Sequence, residues 1–179
     1  MKALLKMVQA ADALSDAAAW CATWCVLLAC LVSAGNAITR YAFDIGSNAW
    51  LETQWYLFAA IVLLGTSKTL RVNGHVRVDL FYGRLAPRRQ VWLDLVCLGL
   101  FLMPAAVLLG GMSWTVFVES WRVGEVSSNA GGLVRWPVKL VLPAGFLLLA
   151  LQGLAEMTRR AAMLSGAIPL SSHYERPVQ

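Results

Sequence analysis

Four long apolar stretches, none with a charged residue near its centre, constrain the fold of this chain more than any other feature. A helix needs about 20 residues to cross the roughly 30 Å hydrocarbon core of a bilayer, and each stretch is close to that length. Hydrophobic residues make up 59% of the 179 residues and charged residues only 14%, which is typical of membrane proteins. The sequence therefore predicts an all-α integral membrane protein with four transmembrane helices, over about residues 17–38, 50–67, 95–118 and 136–154.

The cations are distributed unevenly around these stretches. Eleven lie before the first stretch, between the second and third, or after the fourth: Lys2, Lys6, Lys68, Arg71, Arg77, Arg84, Arg88, Arg89, Arg159, Arg160 and Arg176. The two remaining loops and their edges hold Arg40, Arg122, Arg135 and Lys139, balanced by Asp44, Glu52, Glu119 and Glu125. Loops rich in Lys and Arg stay in the cytoplasm. We therefore expect both termini and the middle loop to be cytoplasmic, with the two other loops outside.

Shorter segments flank the predicted spans. Residues 1–16 and 75–90 have apolar side chains at helical spacing with charges offset, which predicts short amphipathic helices on the inner membrane surface. Pro104 lies inside the third stretch, and we expect a kink there because proline removes a helical hydrogen bond. The prolines and serines of residues 161–179 predict a flexible cytoplasmic tail after a membrane domain over residues 1–160.

Several function classes lack the residues that they need. The two histidines, His75 and His173, lie outside the apolar stretches, so neither can ligate a haem within the membrane, and His75 has no second ligand at metal spacing. The sequence holds no nucleotide-binding loop or nucleophile motif, and its cations are not interleaved with aromatic residues on a polar domain. We expect no enzyme activity, cofactor, metal or nucleic-acid partner. A transport pathway through this chain alone would require charged or broken helix centres.

Glu52 is the most unusual charged residue of the second stretch. It stands beside Trp50 at the outer end, whereas Lys68 and Arg71 mark the inner end. A carboxylate at the interface is far less costly than one at mid-bilayer. Glu52 is either a solvated acid that is favoured by the helix dipole, or it meets a cation on a partner helix.

From Asn36 to Arg160 the chain resembles the small membrane subunit, of the DctQ type, of tripartite ATP-independent periplasmic (TRAP) transporters. The resemblance rests on an ordered series of residues: Asn36, Arg40, Trp50, Glu52, Leu64, Gly65, Arg71, the HVRVD segment from His75 to Asp79, Glu119, Ser120, Glu125, Ser127, the WPVK segment from Trp136 to Lys139, Pro143, Gly145 and Gln152. Many similar proteins carry a second acid directly after the position of Glu52, where this chain has Thr53.

The resemblance implies a division of labour among three proteins in the bacterial inner membrane and periplasm. A periplasmic binding protein captures an organic acid, a large DctM-type elevator subunit moves it with sodium, and the small subunit packs on the static scaffold of the large one. The candidate partner or structural residues are Arg40, Trp50, Glu52, Arg71, His75, Asp79, Glu119, Arg122, Glu125, Trp136 and Lys139. The candidates for contact with lipid headgroups are Arg77, Arg84, Arg88 and Arg89. The alternative is a homo-oligomeric small transporter or an accessory subunit of a different membrane complex.

Overall fold

The structure, a computed structural model, is built of helices. It describes residues 2–75 and 82–170, with side chains from Lys6 onward. The helices are α1 (Lys2–Phe43), α2 (Asn48–Arg71), α3 (Pro87–Cys97), a π-helical segment (Leu98–Leu102), α4 (Met103–Arg122) and α5 (Trp136–Leu164). The described residues contain no β-strand beyond one isolated bridge, which agrees with the predicted all-α class.

The helices pack side by side in the order α1, α2, α5, α4, and α1 also contacts α5. Glycines allow the central helix α5 to approach its neighbours closely. A Cβ atom on Gly145 would lie 2.7 Å from the Cβ of Leu63 in α2, and one on Gly153 would lie 2.8 Å from a methyl group of Leu102. Helices in lipid associate through this kind of close contact between small residues and neighbouring side chains.

Three helical rods are long and apolar enough to cross a membrane, over Lys6–Phe43, Pro87–Arg122 and Trp136–Leu164. Only 11%, 11% and 28% of their most apolar windows are buried inside the chain, so their apolar side chains face outward. Outward-facing apolar surface of this extent is stable in lipid or against another protein. Three of the four predicted spans therefore correspond to candidate membrane helices, whereas the predicted span in α2 stays a prediction.

The N-terminal segment differs from the sequence prediction. We expected a separate surface helix over residues 1–16, but its described residues belong to α1, which continues without a break to Phe43. The alanine-rich join around Asp16 contains neither glycine nor proline, so nothing in the sequence ends the helix there. Val8 and Ser15 are buried, which shows that this segment packs against the other helices. At 1.5 Å per residue α1 is about 63 Å long, roughly twice the hydrocarbon thickness.

The second rod, over Pro87–Arg122, contains an irregular segment close to the predicted kink. Leu98–Leu102 form a π-helix directly before the turn that contains Pro104. Proline has no N–H for the carbonyl four residues earlier, and π-helical bonding skips that position by linking residues five apart. The rod begins at Pro87, earlier than the predicted residue 95, because proline is favoured in the first turn of a helix.

Two further predictions involve segments at the edge of the described residues. Six of the sixteen residues of the predicted surface helix over residues 75–90, residues 76–81, lie outside the described residues, whereas residues 83–86 are not helical and Pro87–Gln90 belong to α3. Of the predicted tail, residues 171–179 also lie outside them, while α5 continues to Leu164, ten residues past the predicted end of the fourth span.

Candidate functional site

Polar side chains collect at the two ends of the helices and form two separate clusters. The hairpin cluster lies at one end and contains Asn48, Glu52, Tyr56, Glu125, Ser127, Asn129, Arg135 and Lys139. The interhelical cluster lies at the other end and contains Asp12, Ser15, Asp16, Lys68, Arg71, Asp94, Gln152, Glu156, Arg159 and Arg160. Both clusters are built mainly from side chains that the helices bring together over long sequence separations.

Glu52 is the centre of the hairpin cluster. Only 3% of the residue is exposed. Its carboxylate accepts hydrogen bonds from the Ser127 hydroxyl, from the Asn129 side-chain amide at 2.8 Å and from the backbone N–H of Leu133 at 2.7 Å. The alternative of a solvated acid is therefore wrong, and these three donors are uncharged groups of a loop. Burying a carboxylate requires such donors, because an unsatisfied buried charge is very costly.

The loop that covers Glu52 is a short hairpin between α4 and α5. Val126 and Val134 form its bridge, and the backbone N–H of Ser127 donates to the carbonyl of Leu133 at 2.9 Å. Gly131 lies at φ +69°, a left-handed conformation that glycine adopts without strain and that closes the turn. The chain cannot form this turn as easily with a β-branched residue there.

Two side chains of α2 attach the hairpin to that helix. The side-chain amide of Asn48 donates to the carbonyl of Ala130 at 3.0 Å, and the hydroxyl of Tyr56 donates to the carbonyl of Val134 at 3.1 Å. Together with Glu52, these contacts cover two turns of α2 and several positions of the hairpin. The hairpin is therefore held in one position relative to α2.

Charged residues brace the base of the hairpin. Lys139, in the first turn of α5, forms an ion pair with Glu125, and a guanidinium nitrogen of Arg135 donates to the Ser127 hydroxyl at 3.3 Å. The hydrogen bond from Lys139 lowers the pKa of Glu125 below its ordinary value of 4.5. Glu125 is thus charged at neutral pH.

Gln152 is the centre of the interhelical cluster and has no exposed surface. Its carbonyl oxygen accepts a hydrogen bond from the Ser15 hydroxyl at 2.7 Å, and its amide donates to Asp12 at 3.1 Å and to Glu156 at 3.2 Å. The amide thus links α1 to α5 with both of its functional atoms used. A fully satisfied buried polar group of this kind favours one packing arrangement over others.

Ion pairs extend the interhelical cluster from α1 and α5 to α2 and α3. Asp12 pairs with Arg71 and Arg159, and Asp16 pairs with Lys68 and with Arg71, the last at 2.7 Å. Glu156 pairs with Arg159 and with Arg160 at 2.5 Å, and Arg160 also pairs with Asp94 at 3.2 Å. Four acids therefore meet four bases. The cluster brings no net charge to this end of the protein.

Sequence reasoning found part of the hairpin cluster and little of the interhelical one. Glu52, Glu125 and Lys139 were predicted site residues and do come together in one cluster. Of the interhelical cluster only Arg71 was a candidate. The signal was present in the spacing of Gln152, Glu156 and Arg160, which recur every four residues and so share one face of α5.

The other predicted residues lie apart from both clusters or at their edges. Trp136 packs on Trp121 with ring centroids 4.5 Å apart, and the ring of Trp50 lies against Gly35. The exposed candidates are Arg40, His75, Arg84, Arg88, Arg89, Glu119 and Arg122. Arg77 and Asp79 lie outside the described residues. Within residues 2–75 and 82–170, no group of three His, Cys, Asp or Glu side chains is placed to hold a metal ion.

Comparison with known proteins adds one finding. The family model that describes the DctQ component of tripartite ATP-independent periplasmic transporters matches residues 28–163. This stretch covers α5 almost entirely and every other helix except the first part of α1. No curated protein and no solved structure matches the chain.

Proposed function

The chain belongs to the DctQ family, the small membrane component of tripartite ATP-independent periplasmic transporters, and from this premise we propose that it supports a larger transport subunit and has no transport pathway of its own. The family assignment agrees with the resemblance seen in the sequence. The finer role is argued from the positions of the charges.

The observation that carries the proposal is the lack of charge between the two clusters. The sequence has no charged residue within four stretches, residues 17–39, 53–67, 95–118 and 140–155. Transporters that bind ions or substrates at mid-membrane place charged groups or broken helices there. In this chain the buried Glu156 and Arg160 pair with each other at one end of the helices, and the buried Glu52 accepts hydrogen bonds from uncharged donors at the other end. Such a helix bundle is suited to fixing geometry and not to conducting solutes.

We infer that α2 is the fourth transmembrane helix. It contributes Glu52 to the hairpin cluster and Lys68 and Arg71 to the interhelical cluster, so it runs the full distance between them. From Glu52 to Lys68 that distance is about 24 Å along the helix, somewhat less than the roughly 30 Å core. This shorter distance is still compatible with a membrane span, because the hairpin covers Glu52 and the long side chain of Lys68 can place its charge at the interface.

Orientation follows from the distribution of cations. The positive-inside rule favours the interhelical cluster at the cytoplasmic surface and the hairpin cluster at the periplasmic surface of a bacterial inner membrane. Both termini are then cytoplasmic. The exposed Arg84, Arg88 and Arg89, with Arg77, are in this orientation available to anionic lipid headgroups, at about 1 kcal/mol for each cation near the surface.

The proposed partner is a large DctM-type elevator subunit that takes up an organic acid with sodium. A fixed scaffold requires helices that keep their relative positions, and the interhelical cluster links α1, α2, α3 and α5 through ion pairs and hydrogen bonds. The outward-facing apolar side chains of the rods offer the surface on which such a subunit can pack.

The hairpin is the proposed contact surface for the periplasmic binding protein. Arg122 is exposed beside it, whereas Glu125 is occupied by Lys139. Arg122→Glu should weaken docking of the binding protein, measured as affinity for the reconstituted complex, while Arg122→Lys, which keeps the charge, should not. Equal affinity of the two variants would argue against docking at this surface.

The decisive experiment separates support from transport. The full-length chain is co-expressed with the large membrane subunit, purified, and reconstituted in vesicles with a sodium gradient. We expect the two chains to co-purify and organic acid uptake to require both of them together with the binding protein. Uptake by this chain alone would instead favour a homo-oligomeric small transporter, and failure to co-purify would favour a different complex.

A further inference from the structure

An apolar groove runs along the rod over Pro87–Arg122, on the side where this rod meets α5 and the end of α2. Its volume is about 480 Å³. The walls are apolar side chains, among them Leu70, Phe101, Leu109 and Phe146, together with the small residue Ala105. Phe101 is 67% exposed, so the groove opens to the outside of the bundle.

The groove has one polar end. Asp94 and Arg160 line it there, and the distance along the rod from Asp94 to Leu109 is about 22 Å. Asp94 and Arg160 form the ion pair that connects α3 to α5 in the interhelical cluster. The groove thus begins beside the interhelical cluster and extends along the apolar central part of the helices.

Arg160 offers a further hydrogen-bond donor at this end of the groove. Its side chain is only 9% exposed. Its Nε donates to Asp94 at 3.2 Å and its Nη1 donates to Glu156 at 2.5 Å. Among the described residues, Nη2 of Arg160 has no hydrogen-bond acceptor. An anionic oxygen is the group that a guanidinium binds most strongly in such a place.

Further cations stand beyond the polar end. Arg88 and Arg89 lie in the first turn of α3, about 8 Å along the helix from Asp94, and both are exposed. Neither forms an ion pair with a residue that the structure describes. The groove is therefore apolar along most of its length, has the buried guanidinium of Arg160 at one end, and is followed there by the exposed cations of Arg88 and Arg89.

We propose that this groove binds one anionic phospholipid of the inner leaflet, with an acyl chain in the channel and the phosphate at Arg160. The groove is complementary to a lipid: its apolar length suits an acyl chain, and the arginines at its end suit an anionic headgroup. The 22 Å length exceeds half of the roughly 30 Å hydrocarbon core, so one chain fits along it. The body of a second helix of that length occupies roughly 1,700 Å³, which is far more than the groove holds.

The shape of the rod supports the same occupant. The π-helical segment Leu98–Leu102 contributes three side chains to the groove, from Leu98, Phe101 and Leu102. A π-segment widens the helix locally and is frequent at functional sites. The irregular turn and the groove therefore occupy the same place on the rod.

The test uses the purified full-length chain in detergent and measures lipid binding by native mass spectrometry. The probes are dioleoylphosphatidylglycerol, which is anionic, and dioleoylphosphatidylcholine, which is not. Ala105→Phe places a ring in the groove and should lower affinity for phosphatidylglycerol by about tenfold, because fewer methylene groups are buried. Leu108→Phe adds a ring to an exposed position of the same helix outside the lining, and should leave the affinity unchanged.

A second variant tests the charge. Exchanging both Arg88 and Arg89 for glutamine should reduce the preference for phosphatidylglycerol over phosphatidylcholine by about fivefold for each cation removed. Neither arginine packs in the core, so the variant should fold. An equal affinity of the native chain for the two lipids would overturn the proposal.

Two further outcomes would also overturn it. Competition by inorganic phosphate at the same concentration as the lipid would show a site for free anions that has no need of a chain. A photo-crosslinking residue at position 105 that reacts with a co-expressed large subunit, in place of lipid, would show that a protein covers the groove.

Discussion

The two polar clusters differ in what they connect. The interhelical cluster joins side chains that all project from helices, four bases to four acids, with Gln152 fully buried among them. The hairpin cluster joins one helix to a loop, and the donors to Glu52 are a hydroxyl, an amide and a backbone N–H. Loss of the first should therefore loosen the whole bundle, whereas loss of the second should release only the loop.

The largest effect is expected at Glu156. Glu156→Ala removes one of the two carboxylates that pair with the buried guanidinium of Arg160, and it also removes a partner of Gln152. Breaking a buried ion pair from one side typically costs about 3 kcal/mol or more. We expect the free energy of unfolding in detergent to fall by about that amount, measured by denaturant titration. Glu119→Ala, at an exposed acid of α4, is the matched control and should change it little.

A smaller and local effect is expected at Glu52. Glu52→Gln keeps the shape but places an amide where two oxygens accept three hydrogen bonds, so at least one donor loses its acceptor. Amide hydrogen exchange in the hairpin, at Ser127 and Leu133, should become faster by about tenfold, because only local opening is made easier. Exchange along α5 should not change. Uniformly faster exchange in all helices would show that the hairpin cluster supports the bundle as well.

The two clusters were not equally visible in the sequence. Three of the four apolar spans could be predicted because periodicity and length are local properties. The separate N-terminal helix was a wrong prediction because the pattern of residues 1–16 was taken for a membrane-facing surface, whereas Ser15 faces Gln152, 137 residues away. Local patterns do not show which charges meet across such separations.

Glu52 illustrates the same limit at the other end. The sequence indicated an acid in need of an explanation, and it offered water or a cation as partners. The actual donors come from a loop 75 or more residues later, and one of them is a backbone N–H, which any residue provides. The identity of the residues in a loop gives no signal for a contact of that kind. The turn itself had a clue in Gly131 and Gly132.

A pH series tests the ion pair between Lys139 and Glu125 at the base of the hairpin. The pKa of Glu125 is lowered by its hydrogen bond from Lys139, so the pair stabilises the folded hairpin above about pH 4.5, where the free acid is ionised in the unfolded chain too. This contribution is lost as the pH falls from 4.5 through the lower folded-state value. We expect the exchange rates of the native chain and of Lys139→Gln to differ at pH 7 and to converge below pH 4.5. A difference that stayed the same from pH 7 to below pH 4.5 would mean that the ionised pair is not its cause.

The smallest expected effect is the energetic coupling between a substitution in one cluster and a substitution in the other. Glu52 and Gln152 lie at opposite ends of the bundle and share no hydrogen-bond partner, and effects at such separated sites usually add within about 0.5 kcal/mol. Glu52→Gln combined with Gln152→Leu should therefore lower the free energy of unfolding by the sum of the single effects. A coupling well above that size would mean that α2 transmits strain between its ends, because it is the helix that contributes Glu52 to one cluster and Arg71 to the other. The two clusters would then act as one unit, and the hairpin would respond to changes in the interhelical cluster.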